Sequence, residues 1–256
     1  MSMYIGVSGL KAATVDLNTT SQNIANASTT GFKNSRAEFG DLVDSNASKN
    51  AGIGVQTQAV NQIFQQGAVI TTGNALDLAI VGNGFFQVQE GDAGQVSYTR
   101  AGSFHVDNEG YIVNNLGQRL QDGSTDAGGT PLQFTGKLPV DSITFNKTTG
   151  EFSAKDADGA DVTIGPLNLT NFESMQGLKK ISDTQWLQTP EAGDFSFGLP
   201  GSGNLGNLMS GALEASNVDL TDQLVNMIIA QRNFQANSKT ITTNQTLTET
   251  VTNMIR

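Results

Sequence analysis

The chain has 256 residues, 37% of them hydrophobic, with 29 glycines, no cysteine and a formal net charge of −10. The absence of cysteine excludes disulfides, thiolate metal sites and cysteine nucleophiles, and the acidic balance excludes the basic stripe that a nucleic acid backbone requires. No run approaches the roughly 18 apolar residues of a membrane span, and the opening Met1-Ser2-Met3-Tyr4-Ile5-Gly6 lacks the basic and apolar regions of a secretory signal. Residues 1–30 carry only Lys11 and Asp16, and residues 217–256 balance Asp219, Asp222 and Glu249 against Arg232, Lys239 and Arg256. The whole acidic excess therefore sits between the ends, which predicts a solvated middle and termini buried in an assembly.

The N-terminal stretch repeats at seven. Met3, Leu10, Leu17 and Ile24 form one row, and Gly6, Ala13, Thr20 and Ala27 form the next. Large against small at this spacing predicts a narrow seam for close helix packing; an amphipathic helix lying on its own domain is the plainer alternative. Thr29-Thr30-Gly31 breaks the pattern, with Gly31 expected as the C-cap. Strands are predicted at 77–81 and 84–89 as a hairpin about Gly82-Asn83, then at 97–100, 103–106 and 111–113, with Asp107-Asn108-Glu109-Gly110 as a turn. Further strands are expected at 142–146, 151–154, 161–164 and 167–172, and residues 189–207 read as an extended return path.

The C-terminal stretch carries a second row of seven: Leu213, Leu220, Met227, Phe234, Ile241 and Ile255, with Thr248 its polar member. Leu224, Ile228 and Val251 widen the stripe, and Asp219 is placed to cap the amides of Thr221 or Asp222. From Ser238 to Asn253 the helix is rich in threonine and asparagine, weak helix formers that cost on the order of 0.5 kcal/mol each relative to alanine. A helix of this make-up frays when isolated, so packing against partners must order it.

Chemical motifs are few. Gly201-Ser202-Gly203-Asn204-Leu205-Gly206 matches G-x-G-x-x-G by count, but Pro200 precedes it and Asn226 stands where a ribose-binding acid belongs, so it reads as a linker. Asp156, Asp158 and Asp161 fail the calcium-loop pattern at Ala160, Asp161 and Leu167, and Asp158-Gly159 reads as a polar turn. His105 is the only histidine and is read as structural. No enzymatic reading retains residues to support it, and no cofactor or metal is expected.

Three blocks of sequence resemble the flagellar rod/hook axial protein family. The first runs from Gly9-Leu10 through Ser21-Gln22-Asn23-Ile24-Ala25-Asn26 to Thr30-Gly31-Phe32-Lys33. The second is Leu76-Asp77-Leu78-Ala79-Ile80-Val81-Gly82-Asn83-Gly84-Phe85-Phe86 followed by Tyr98-Thr99-Arg100-Ala101-Gly102-Ser103-Phe104. The third is Gly211-Ala212-Leu213-Glu214-Ala215-Ser216-Asn217-Val218-Asp219-Leu220, leading to Gln231-Arg232-Asn233-Phe234. The resemblance implies an α+β fold, with N- and C-terminal helices forming an α-helical coiled-coil inner domain and a β-rich middle of hairpins or a small barrel-like domain. The expected divisions are residues 1–35 (N-terminal helix), 36–75 (extended and hairpin connector), 76–207 (β-rich outer domain, with a sub-boundary near 121–130) and 208–256 (C-terminal helix).

The implied function is that of a hook subunit polymerising into a hollow helical tube that transmits motor torque. A rod protein is the runner-up, and a secreted β-rich binding module is the more remote alternative. Ser35-Arg36-Ala37-Glu38-Phe39 and Ala230-Gln231-Arg232-Asn233-Phe234 resemble hook sequences, whereas the chain's length resembles a rod protein. The assembly seam expected from the rows is Met3, Leu10, Leu17, Ile24, Leu220, Leu224, Met227, Phe234, Ile241 and Ile255. Phe39 and Val43 resemble an export-gate recognition motif. The implied partners are further copies of the chain, neighbouring axial proteins (rod, hook cap and hook-filament junction) and the flagellar type III export apparatus, with no nucleic acid and no membrane insertion.

Overall fold

Ser2–Ala25 forms helix α1. Its mid-helix threonines satisfy their hydroxyls on the helix itself, Thr14 donating to Leu10 O at 2.8 Å and Thr19 to Val15 O at 2.8 Å. The computed structural model describes residues 2–43, 52–91, 94–125, 129–136, 141–146, 149–182 and 184–254. The chain divides into two compact units.

The first unit comprises residues 1–27, 34–63 and 218–256. Beside α1 it contains an antiparallel pair, β1 (Ser35–Val43) and β2 (Gly52–Gln62), and helix α2 (Leu220–Met254). Asp219 caps α2 as the sequence predicts, its carboxylate accepting from Thr221 N at 2.8 Å and Asp222 N at 3.3 Å. Gly31 does not cap α1, which ends six residues earlier. Its positive φ of 70° serves a close approach instead: a Cβ there would lie 2.5 Å from Ala101 N, and its amide donates to Glu214 O at 2.8 Å.

The second unit comprises residues 28–33 and 64–217. Its strands are β3 (Val69–Thr71), β4 (Leu78–Val81), β5 (Phe86–Gln89), β6 (Val96–Thr99), β7 (Phe104–Val106), β8 (Ile112–Asn114), β9 (Arg119–Leu120), β10 (Asp141–Asn146), β11 (Glu151–Lys155), β12 (Asp161–Ile164), β13 (Leu169–Phe172), β14 (Lys179–Ser182), β15 (Gln185–Leu187), β16 (Phe195–Gly198), β17 (Asn207–Ser210) and β18 (Ala212–Glu214). The largest sheet has seven strands in the order β14-β15-β6-β5-β9-β8-β7. It stays open at β14 and β7, so the barrel-like middle expected from the sequence is not formed. Closure needs the two edges to pair with a consistent stagger, and the unit's strands, two to six residues long, are divided between this open sheet and several smaller ones instead.

The hairpin expected about Gly82-Asn83 is also absent. β4 pairs with β17, and β5 with β6 and β9. Gly206 crosses the linker closely enough to donate its amide to Asn83 O at 2.7 Å, which redirects the chain into a different ladder. The return path at 189–207 contributes a strand of its own, β16, paired with β13. One core gathers Leu78, Ile80, Phe86, Phe104, Ile112 and Phe152; a second stacks Phe85, Tyr98, Phe172 and Trp186 with Phe64, ring centroids lying 4.7–6.0 Å apart. The loop expected as a sub-boundary is tied at Asp122, which donates to neither neighbour through its side chain but accepts from Ser124 N at 3.0 Å and Thr130 N at 3.1 Å; residues 126–128 lie outside the described residues.

Candidate assembly surface

Within the first unit α1 and α2 pack antiparallel. Asn23 Nδ2 donates to Gln223 Oε1 at 3.0 Å near one end. Near the other, a Cβ on Gly9 would lie 2.7 Å from Asn237 Oδ1, and one on Gly6 would lie 3.0 Å from Ile241 Cγ1. Two glycines thus let the side chains of Asn237 and Ile241 seat directly against the backbone of α1. The β1–β2 pair also packs on α1: Ser8 Oγ accepts from Val55 N at 3.3 Å, and Asn23 exchanges bonds with Ser35 N and O at 2.9 and 2.8 Å.

The small row of α1 (Gly6, Ala13 and Thr20) is buried. The large row expected to form the seam lies toward the rim: Leu10, Leu17 and Ile24 are half-buried and Met3 is 52% exposed. On α2 the row against α1 is Gln223, Ala230, Asn237 and Asn244, a repeat of seven that hydrophobicity alone passes over; Gln223 and Ala230 are buried. Of the expected α2 residues, Met227 and Ile241 are half-buried, whereas Leu220, Leu224 and Phe234 are 50, 52 and 42% exposed. Ile255 lies outside the described residues. Val225, Ile228, Ile229, Leu247, Val251 and Met254 are exposed too. The helix pair fills its inner seam largely with small and polar residues and leaves many of the large apolar residues of α2 exposed.

On β1, Phe39 and Val43 are both exposed. A cleft of about 390 Å³ in this unit is lined by Asp16, Thr19, Thr20, Arg36, Asp222 and Gln223 among others. Burial pushes the Asp16 carboxyl above its ordinary range.

The second unit holds a buried ion cluster. Glu214 Oε1 accepts from Lys33 Nζ at 2.6 Å and from Gly67 N at 2.9 Å, and Oε2 faces Arg100 Nη1 at 3.4 Å. Lys33 Nζ also donates to Gln65 O at 2.8 Å, and the Arg100 guanidinium lies 5.1 Å from the centroid of the Phe85 ring. All three ionic side chains are almost wholly buried, and desolvation pulls Lys33 and Arg100 below their usual ranges against the opposing pull of Glu214. One member comes from each of the three sequence blocks quoted above.

The other motifs settle into turns. Gly201 N donates to Gly206 O at 2.9 Å in the loop between β16 and β17. Asp156 N donates to Ala160 O at 2.9 Å, and Gly159, with a φ of 80°, turns β11 into β12. His105 is exposed on the edge strand β7 and does not pack in the core. Among the described residues, no helix is long and apolar enough to cross a membrane, and no three His, Cys, Asp or Glu side chains are grouped to hold a metal ion.

A helix pair with its large apolar residues facing outward defines a subunit made to be covered, that is, an assembly protein. Three family models match in chain order: flagella basal body rod protein at residues 3–33, flagellar hook protein FlgE/F/G D1 domain at 79–166, and flagellar basal body rod FlgEFG protein C-terminal at 209–254. The chain is 37% identical to the flagellar basal-body rod protein FlgG of Bacillus subtilis (strain 168), covering 100% of this chain and 99% of that protein. It is 36% identical to FlgG of Agrobacterium fabrum, covering 94% of each. The flagellar hook protein FlgE of Salmonella typhimurium is 27% identical over 406 aligned residues, covering 99% of this chain and 100% of that protein. The chain belongs to the flagellar rod/hook axial protein family, whose members are structural, non-enzymatic parts of the bacterial flagellum outside the cytoplasm.

Proposed function

We propose that this chain is a rod subunit of the flagellum, polymerising with further copies and neighbouring axial proteins into a hollow helical tube that carries motor torque. The hook, placed first on sequence alone, yields to the rod for two reasons. The relatives at 36 and 37% identity are named rod proteins, and the hook relative reaches full coverage only over 406 aligned residues against 256 here. In this reading the unit of residues 1–27, 34–63 and 218–256 is the inner domain and that of 28–33 and 64–217 the outer one, so the expected helical divisions 1–35 and 208–256 give up residues 28–33 and 208–217 to the β-rich unit and the expected connector 36–75 is shared between the two. Subunits leave through the type III export apparatus, with Phe39 and Val43 engaging its gate, and do not enter the membrane.

The observation that carries the reading is the uncovered apolar face of α2. Burying a leucine or isoleucine contributes about 1.5–3 kcal/mol, so a face with Leu220, Leu224, Val225, Ile228 and Ile229 about half exposed holds about half of its hydrophobic gain in reserve for association. Ile228→Asp is expected to abolish assembly in cells while the secreted monomer keeps its circular dichroism. Normal polymer from that variant would refute the role of this face. Position is tested separately: cells lacking the chain should build no hook, and finished rods lacking only the hook would restore the hook reading.

A further inference from the structure

Within the second unit a cleft of about 270 Å³ opens where β15 begins, lined by Thr30, Ser103, Asn115, Leu116, Thr184 and Gln185 among others. None of its described lining residues is charged. Its floor is held by a network of side chains. Asn114 Nδ2 donates to Gln118 Oε1 at 2.9 Å, Gln118 Nε2 donates to Gln185 Oε1 at 3.3 Å, and Ser97 Oγ donates to the same oxygen at 3.4 Å. Asn114 Oδ1 accepts from the amides of Leu116 and Gln118 at 3.0 and 2.9 Å. Thr99 Oγ1 accepts from Ala101 N at 3.1 Å and donates to Thr184 O at 2.9 Å. These bonds tie β6, β15 and the turn after β8 together, so the cleft has its shape before any ligand arrives.

Four polar side chains around the cleft are left over. The hydroxyls of Thr30, Ser103 and Thr184 and the amide of Asn115 make no hydrogen bond among the described residues. Thr184 is only 7% exposed, so its hydroxyl is largely withdrawn from bulk water and has no protein partner. A buried polar group in that state gains from any ligand that bonds to it. Thr30 and Ser103 are half-buried and Asn115 is exposed. Each of the four side chains can both donate and accept. Beside them Ala101 and Leu116, the latter 57% exposed, supply apolar surface.

This lining selects a chemical class. A charged ligand would lose hydration there and meet no counter-charge. A ligand that only accepts would use half of what the hydroxyls offer. A sugar ring carries adjacent hydroxyls that both donate and accept, and its C–H faces pack on apolar side chains. The volume lies just below the roughly 300–1,000 Å³ of small-molecule pockets, which limits the occupant to a single ring.

We propose that this cleft binds one ring of a neutral saccharide, the hydroxyls of Thr30, Ser103 and Thr184 and the amide of Asn115 bonding the sugar hydroxyls and Leu116 lying against a C–H face. The inference goes beyond the assembly role of the helices and does not rest on it.

The test is saturation-transfer NMR on the full-length monomer with cellobiose, maltose and N,N′-diacetylchitobiose as probes and glucuronate as the charged control. At least one of the neutral disaccharides should receive saturation concentrated on one ring, and glucuronate should bind at least tenfold more weakly. Thr184→Val keeps the shape of the side chain and removes its hydroxyl. Because that hydroxyl has no partner in the protein, the urea midpoint followed by Trp186 fluorescence should hold or rise while saccharide affinity falls at least tenfold. A purely structural Thr184 would give the reverse, a lowered midpoint with binding intact. That pattern would overturn the proposal, as would the absence of transfer to all three disaccharides, equal binding of glucuronate, or a Thr184→Val variant that binds like the parent chain.

Discussion

Glu214 is the residue on which most of the second unit's buried charge depends. Two cations and a backbone amide converge on its carboxylate, and its own backbone carbonyl accepts from Gly31. Glu214→Ala would leave Lys33 and Arg100 buried without a counter-charge, a change that costs roughly 3–5 kcal/mol, a large share of a typical domain's 5–15 kcal/mol. Trp186, the single tryptophan, lies in the second unit's aromatic core, so its fluorescence during urea unfolding measures the loss. An unchanged midpoint would show that the cluster is not a major stabiliser. Each member could be read in the sequence as part of a motif, yet nothing there joined them. Lys33 and Glu214 are 181 positions apart and Arg100 and Glu214 are 114, separations over which no periodicity reports.

Among the elements, α1 and α2 show what periodicity can and cannot deliver. The repeats of seven located both helices and the Asp219 cap, because those signals are local. The large-against-small pattern put the small row of α1 in the seam, but the large residues expected beside it lie half-buried or exposed in this unit, because close approach selects for smallness. Gly6, Ala13 and Thr20 went in, and Leu10 and Leu17 were left at the rim. Gly9→Leu should therefore separate the helices even though leucine is the better helix former. The gain of about 0.8–1 kcal/mol in propensity is outweighed by overpacking that typically costs 1–3 kcal/mol against Asn237. Hydrogen exchange should show the amides of 230–244 losing protection while Trp186 fluorescence stays unchanged. Unaltered protection would mean that Asn237 can swing aside. The misread hairpin at Gly82-Asn83 has a related cause. A glycine turn specifies that the chain bends, whereas the partner of β4 is β17, more than a hundred residues away.

For the whole molecule, the division into two units predicts how the monomer is digested. A protease with specificity for large apolar residues should cut first at Leu247 and in the exposed stretch after it, and should leave the strands of residues 64–217 intact longest. Mass spectrometry of the fragments follows the order of cleavage, and in assembled polymer the first cuts should disappear. A monomer whose C-terminal turns outlast its β-rich unit would contradict this. The family and the α+β character of the chain were legible because three motif blocks lie in order. The open sheet and its strand order were not, because short strands between glycines carry no record of their partners. The ion cluster also bears on how chain length can vary in this family. Lys33 and Glu214 bracket nearly all of the second unit and meet in its interior, so its entry and exit points are held together independently of the loops between them. Lengthening such a loop costs only about 0.6 kcal/mol per doubling. Additional residues in a loop between these anchors are therefore tolerated without moving the points at which the chain enters and leaves the unit.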